Sequence, residues 1–276
     1  MTTLTDGPAA TTASLRRIGA LLRRHLYLLL GSWPRILDLV YWPTVQMIMW
    51  GFITKFLATQ SGYVAGAAGI FLSAVLLWDT LFRGQLGVST AFLEEMYARH
   101  LGHLFVSPLR PYEFVAAVFS ISLLRVLIGV GGAAVLAWPI HQFSLVGSLG
   151  WALIPFFAIL LVFGWAIGII IGGLVLRLGL GAENLAWAAI FFIQPLSGVY
   201  YPLDILPAPM RAVGWLLPSA PVFEGMRAVL VENRFDAGLL AVALGLLAVW
   251  LLVAAVIFNL LFRDARDRGL LLQTGE

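Results

Sequence analysis

The chain has no cysteine among its 276 residues, which excludes disulfides, thiolate catalysis, iron–sulfur clusters and Cys-based zinc sites. Charge is almost as scarce: charged side chains make up 11% and hydrophobic ones 61%, where soluble domains run near about 25% and 45–50%. A soluble fold of this size has too much surface for its volume to hide so many apolar groups. The composition, with a mean hydropathy of +0.95, is that of an integral membrane protein. Lysine is nearly missing as well, Lys55 standing alone beside the arginines. The net charge of +3 forms no continuous basic face, so nucleic acid is not an expected partner. The pattern G-x-x-x-x-G-K-[ST] is absent, so the chain has no phosphate loop with which to bind ATP. Neither an internal repeat nor a low-complexity segment occurs, and one domain covering 1–276 is expected.

What is present is a series of apolar runs near the 20 or so residues that a membrane-spanning helix needs. Six are predicted, at about 36–58, 66–90, 113–137, 150–175, 184–201 and 238–262. The expected fold is therefore an all-α membrane protein with six transmembrane helices. Ahead of them, Leu15, Ile18, Leu22, Leu26 and Leu29 repeat at helical spacing, while Arg16, Arg17, Arg23 and Arg24 occupy the other side. This predicts an amphipathic helix over 15–30 lying in the membrane interface, ended by Gly31-Ser32-Trp33-Pro34. Met1 to Ser14 has no apolar core followed by an Ala-x-Ala site, so no cleavable signal peptide is expected.

Arginine placement orients these spans. With the N-terminus inside, the inner face receives Arg16, Arg17, Arg23, Arg24, Arg35, Arg83, Arg99, Arg110, Arg177, Arg263, Arg266 and Arg268. The outer face receives only Lys55, Arg211, Arg227 and Arg234. That bias, with an even number of spans, predicts a multi-pass protein of the cell (inner or plasma) membrane with both termini in the cytoplasm. Two connections stand out. The inner loop 91–112 begins with Glu94 and Glu95 and carries basic groups later, as a short helix with a complemented dipole would. The outer segment 202–236 is interrupted by Pro202, Pro207, Pro209, Pro218 and Pro221. It is too broken to cross, and is expected to form short re-entrant helices covered by protein or lining a wet path.

Ionisable groups inside a membrane are costly unless paired, so Asp79, Arg83 and Arg125 attract notice. Asp79 and Arg125 fall at similar depth on spans two and three, and Asp79 and Arg83 are i, i+4 neighbours. The expectation is an Asp79–Arg125 ion pair assisted by Arg83, pinning the two spans together. A proton relay is the competing reading, which one acid beside two arginines suits poorly. On span four, Gly164, Gly168 and Gly172 form a stripe for close helix packing, within the chain or across a dimer. Span three carries a looser group at Gly129, Gly131 and Gly132. His100 and His103 have metal-ligand spacing but lack a clear acidic companion, so no metal site is expected. The aromatic residues Trp42, Trp50, Phe52, Phe56, Phe191, Phe192, Tyr200 and Tyr201 on spans one and five suit a substrate path. For Trp42, Tyr200 and Tyr201 an interfacial aromatic belt is an equal alternative. Tyr200, Tyr201 and Pro202 sit where an outer gate would close.

Leu104-Phe105-Val106-Ser107-Pro108-Leu109, just before span three, resembles the coupling region of ABC-2 type permeases. Gln194-Pro195-Leu196-Ser197-Gly198-Val199-Tyr200-Tyr201-Pro202-Leu203-Asp204-Ile205-Leu206-Pro207, continued by Pro218-Ser219-Ala220-Pro221 and Phe223-Glu224-Gly225-Met226-Arg227, resembles that family's outer re-entrant region. The six-span layout and leading amphipathic helix are similar too. The resemblance implies a non-enzymatic half-transporter: two permease copies, as a homodimer, form the pore, and two separate ABC ATPase subunits bind ATP and Mg on the cytoplasmic side. It further implies that Glu94, Glu95 and Arg99 pair with the ATPase while Leu104, Phe105, Ser107 and Pro108 dock into its cleft. Headgroup lipid is the other possible resting place for that loop. The implied function is an exporter of an amphipathic, drug-like or lipid-like substrate. The alternatives are a polysaccharide or glycolipid exporter and, further off, a proton-coupled secondary transporter, which would be expected to show repeats and a titratable path. A membrane enzyme would need convergent acid, base or metal groups, and the spans offer only scattered ones.

Overall fold

The computed structural model describes residues 8–60, 68–97 and 110–270. Among them the chain is helical, with long helices α1 (Pro8–Leu30), α2 (Trp33–Gln60), α3 (Ala68–Tyr97) and α4 (Pro111–His141). A short α5 (Leu145–Leu149) leads through a 3-10 turn into α6 (Leu153–Leu178). Then come α7 (Glu183–Leu196), α8 (Ala208–Gly214), α9 (Ser219–Glu232) and α10 (Ala237–Asp267).

Among the described residues four stretches are long and apolar enough to cross a membrane: Trp33–Phe56, Tyr112–His141, Leu145–Leu178 and Ala237–Asp267. They contain or closely overlap the runs predicted at 36–58, 113–137, 150–175 and 238–262. Helix α3 has 30 residues, long enough at about 1.5 Å per residue, but Asp79, Thr80, Arg83, Gln85, Glu94 and Glu95 dilute its hydropathy. Its polar groups are tolerable because α3 is the central helix, enclosed by α2, α4, α6, α7 and α9. Helix α7 has only 14 residues, about 21 Å of rise against a hydrocarbon core of about 30 Å. The run predicted to 201 stops early because Pro195 weakens the last turn and Gly198 takes φ +63°.

Helix α6 packs along α3 through its glycine stripe. A methyl at Gly164 would lie 2.6 Å from the Leu81 carbonyl oxygen, one at Gly168 2.6 Å from Val88 Cβ, and one at Gly172 2.6 Å from the Phe92 ring. The stripe is therefore filled within the chain by α3. Of the looser group, only Gly129 is close to a neighbour, the Leu39 carbonyl of α2; Gly131 and Gly132 face open space. Helix α10 packs on α6 and leaves Val242, Val249, Leu252, Val256 and Leu260 exposed, as a lipid-facing helix does. The proline-broken segment folds as a 3-10 turn at Leu203–Ile205, then α8 and α9. Phe223, Met226 and Ala220 of α9 are buried against the bundle.

Helix α1 directs two of its arginines differently from the expected pattern. Its buried side chains are Leu21, His25 and Leu29, while Leu15 is exposed. Arg17 and Arg24 turn toward the protein instead of away from it, because the carboxylates of Glu113 and Glu95 lie there. Arg17 donates to both Glu113 carboxylate oxygens at 2.6 and 2.8 Å, and Ser14 adds a third bond at 2.6 Å. Arg24 pairs with Glu95, with His25 Nε2 at 3.9 Å from the same carboxylate. Helix α1 is thus bound to the last turns of α3 and the first turn of α4.

Candidate functional site: an aromatic cavity between α2, α3 and α7

Three helices each contribute one stripe to a common cavity. Helix α2 supplies Trp42 and Gln46, one turn apart; α3 supplies Val75, Trp78, Asp79 and Phe82; α7 supplies Trp187, Ile190, Phe191 and Gln194. Each set follows the i, i+3, i+4, i+7 spacing that places side chains on one helical face. Tyr200, in the turn after α7, completes the wall of a cavity of about 300 Å³. Phe82 and Trp187 approach to 5.9 Å between ring centroids, and Trp187 and Phe191 to 6.4 Å.

Tyr200 is held in place from two sides. Its ring stacks on Trp50 of α2 at 4.5 Å, and Trp50 in turn faces Phe71 of α3 at 6.1 Å. Gln194 donates to the Tyr200 hydroxyl at 3.1 Å. The following turn is anchored by α9: the Leu203 amide donates to Glu224 at 2.9 Å, and Arg227 donates to the Gly198 carbonyl at 2.8 Å while pairing with Glu224. Ser197 and Ser219 share a buried hydrogen bond of 2.7 Å. Tyr201 donates to the Pro195 carbonyl at 2.8 Å, and Pro202 is exposed at the start of the 3-10 turn.

Among the aromatic residues singled out from sequence, Trp42, Phe191 and Tyr200 line the cavity, and Trp50 supports Tyr200. Phe52 lies on another face, edge-on to His141 at 5.3 Å, while Phe56 and Phe192 are exposed. Gln46, Trp78, Phe82, Trp187 and Gln194 went unnoticed. Their spacing relative to Trp42, Asp79 and Phe191 was the available signal.

The intramembrane charges are arranged differently from the expectation. Asp79 pairs with Arg83 of its own helix at 2.6 Å. Among the described residues no ion pair joins Asp79 to Arg125, whose Nε is buried without a hydrogen-bond partner. An i, i+4 pair forms inside one helix without ordering a second element, so it satisfies Asp79 but does not pin α3 to α4. Contact between those helices rests on close packing instead, with Ser122 bonded to the Gly84 carbonyl at 3.3 Å.

At the end that holds α1, Glu95 is 2% exposed and committed to Arg24, which leaves it no free face for a separate protein. Glu94 is partly exposed and lies 3.7 Å from Arg35. Arg99, Leu104, Phe105, Ser107 and Pro108, with His100 and His103, lie outside the described residues. Both segments flanking them are tied down. Glu113 accepts the Arg110 amide at 3.0 Å as well as the α1 contacts. The Tyr97 hydroxyl donates to Glu183 at 2.6 Å, joining the end of α3 to the start of α7. That hydrogen bond to a carboxylate raises the Tyr97 phenol above its ordinary range. Among the described residues no group of histidines and acids could hold a metal ion.

A bundle of long apolar helices around a cavity, with basic and acidic side chains bonded at the helix ends, defines a multi-pass membrane protein. The chain belongs to the ABC-2 type transporter family, whose model matches residues 16–231, from α1 to the end of α9. No curated protein matches the chain. Members of this family are transport subunits in the membrane that work with an ABC ATPase.

Proposed function

We propose that this chain is the permease subunit of an ATP-driven exporter that moves an amphipathic, drug-like or lipid-like substrate outward across the cell membrane. The observation that carries this reading is the aromatic cavity, enclosed by three helices and capped by Tyr200. A volume of about 300 Å³ is at the small end of pockets that hold drug-sized ligands, about 300–1,000 Å³, and favours such a cargo over a polymer chain. Six crossings are reached by adding α3 and α7 to the four strongly apolar spans, α7 together with the turn that follows it. The segments from Leu203 to Glu232 then form the outer re-entrant cap, and both termini lie in the cytoplasm, as the arginine bias requires.

Two copies of the chain would enclose the path, and two ABC ATPase subunits would bind ATP and Mg. The connection between α3 and α4, residues 98–109, is the element through which the ATPase acts, with Glu94 beside it. Helix α1 grips both of its ends through Glu95 and Glu113. A push on that connection would move α3, α4 and α1 together, because ion pairs join them. Helix α7 would follow through Tyr97–Glu183, and the displacement of α3 and α7 would change the cavity and its aromatic cap. Co-expression of the full chain with a candidate ABC ATPase from the same genome, followed by purification, tests the reading. A stable complex whose ATP hydrolysis is stimulated by amphipathic compounds is the expected result; a chain that never retains an ATPase would overturn it.

A further inference from the structure

The lining of the cavity carries a charge preference. Among the described residues six aromatic side chains line it, Trp42, Trp78, Phe82, Trp187, Phe191 and Tyr200. The electron-rich faces of such rings attract cations and repel anions, and a water-poor setting strengthens the effect. Among the described residues Asp79 is the one charged group on the wall, 7% exposed overall. Its partner Arg83 does not line the cavity: the guanidinium bonds Asp79 at 2.6 Å and packs toward α4, where its Nε lies 3.4 Å from the position a Gly129 methyl would take. Asp79 is therefore on the cavity wall while its partner Arg83 is not. Gln46 and Gln194 add neutral polar groups at the edges.

We propose that this cavity binds an organic cation, a quaternary or protonated amine or a phosphonium, carried on an apolar or aromatic body. The proposal rests on the reading of the cavity as a substrate path and narrows its cargo from amphipathic to cationic. The rings surround the charged centre, the acidic end of the Asp79–Arg83 pair is the one on the wall, and the apolar body leaves through the side between α2 and α7, where Trp42 and Phe191 are exposed. An anionic amphiphile would meet Asp79 and the aromatic lining at once, with no arginine among the described residues of the wall to compensate.

The test uses the purified full chain in a nonionic detergent and measures tetraphenylphosphonium binding by equilibrium dialysis, with neutral triphenylphosphine oxide as competitor. Saturable phosphonium binding is expected, with the oxide competing at least about tenfold more weakly. Trp187→Ala, at a residue 44% exposed, is expected to raise the Kd about tenfold, within the range of a desolvated cation–π contact, with an unchanged melting temperature as the check that the fold is kept. Asp79→Asn is expected to do the same. Because it strands Arg83, it is run beside Asp79→Asn/Arg83→Gln, which leaves no unpaired charge. Equal competition by the neutral oxide, wild-type affinity in all three variants, or no saturable binding would each overturn the proposal. The outcome is separable from the exporter reading, which stands or falls on association with an ATPase.

Discussion

Alanine placed on the two glycine groups should act with opposite sign. At Gly168 the new methyl would lie 2.6 Å from Val88 Cβ and 2.9 Å from the Gln85 carbonyl oxygen, where unstrained carbon contacts sit at about 3.5–4.0 Å. Backbone and a β-branched side chain cannot swing aside, so α6 and α3 must separate by about 1 Å. Overpacking of this kind costs about 1–3 kcal/mol, partly offset by the roughly 0.8–1.0 kcal/mol by which alanine favours a helix over glycine. The net at Gly168 is a loss of about 0–2 kcal/mol. At Gly131 and Gly132 nothing lies within 4 Å of the added methyl, so the propensity gain stands alone and stability should rise by up to about 1 kcal/mol. The spacing of the stripe makes the contrast larger in combination: Gly164→Ala/Gly168→Ala/Gly172→Ala forces three clashes along one interface. Thermal unfolding of the purified chain in detergent, followed by intrinsic fluorescence, reads the difference. The triple variant should melt well below wild type, and Gly131→Ala/Gly132→Ala at or above it. Equal melting of the two sets would refute the claim that α6 and α3 meet backbone to backbone along this stripe.

Trp50→Ala removes the face on which Tyr200 stacks, a loss of about 0.5–1.5 kcal/mol beyond area burial; with Tyr200 left in place, the amides of residues 199–201 should then exchange faster, and unchanged exchange there would argue against the stack as an anchor of this turn. Arg227→Ala leaves the Gly198 carbonyl without its donor and Glu224 without its partner, at a cost of about 1–3 kcal/mol, so amides from 198 to 206 should exchange faster while those of α6 do not. Asp236 caps α10 by accepting the Leu239 and Gly238 amides, and those bonds, Leu239 first, hold its carboxyl below the usual range. Its contribution is complete above the unfolded value of about 3.9 and disappears as pH falls through the lower folded value. Exchange at the start of α10 should therefore be flat from pH 7 to 5, after correction for intrinsic rates, and rise only under stronger acid.

The sequence was most readable where local rules decide the outcome. Apolar runs located α2, α4, α6 and α10, because one helical segment must satisfy its own backbone in lipid. Glycine spacing located the α6 packing face, and the prolines after 202 located the broken segment. It was least readable where the partner is distant in the chain. Nothing near Arg17 or Arg24 announces Glu113 or Glu95, so a stripe of arginines reads as solvated although two of them are clasps. Asp79 had two candidate arginines, and the local one won because an i, i+4 pair needs no second helix to be positioned. The cavity was half visible: Trp42, Phe191 and Tyr200 stood out as aromatic, whereas Gln46, Asp79 and Trp187 become one site only when α2, α3 and α7 are brought side by side. Helix α7 looked longer than it is because hydropathy averages over Pro195 and Gly198, where the backbone turns.

The central claim is that the aromatic cavity is a path whose use depends on ATP hydrolysed by a partner. The chain and its ABC ATPase, reconstituted together in proteoliposomes, provide the direct measurement: accumulation of a lipophilic cation with and without ATP. The account predicts uptake into vesicles whose ATPase faces outward, requiring ATP, insensitive to collapse of a proton gradient, and reduced about tenfold in initial rate at low substrate by Trp187→Ala if the loss of affinity is expressed in full. Uptake that proceeds without ATP, or that stops when the proton gradient is dissipated while ATP remains, would contradict it.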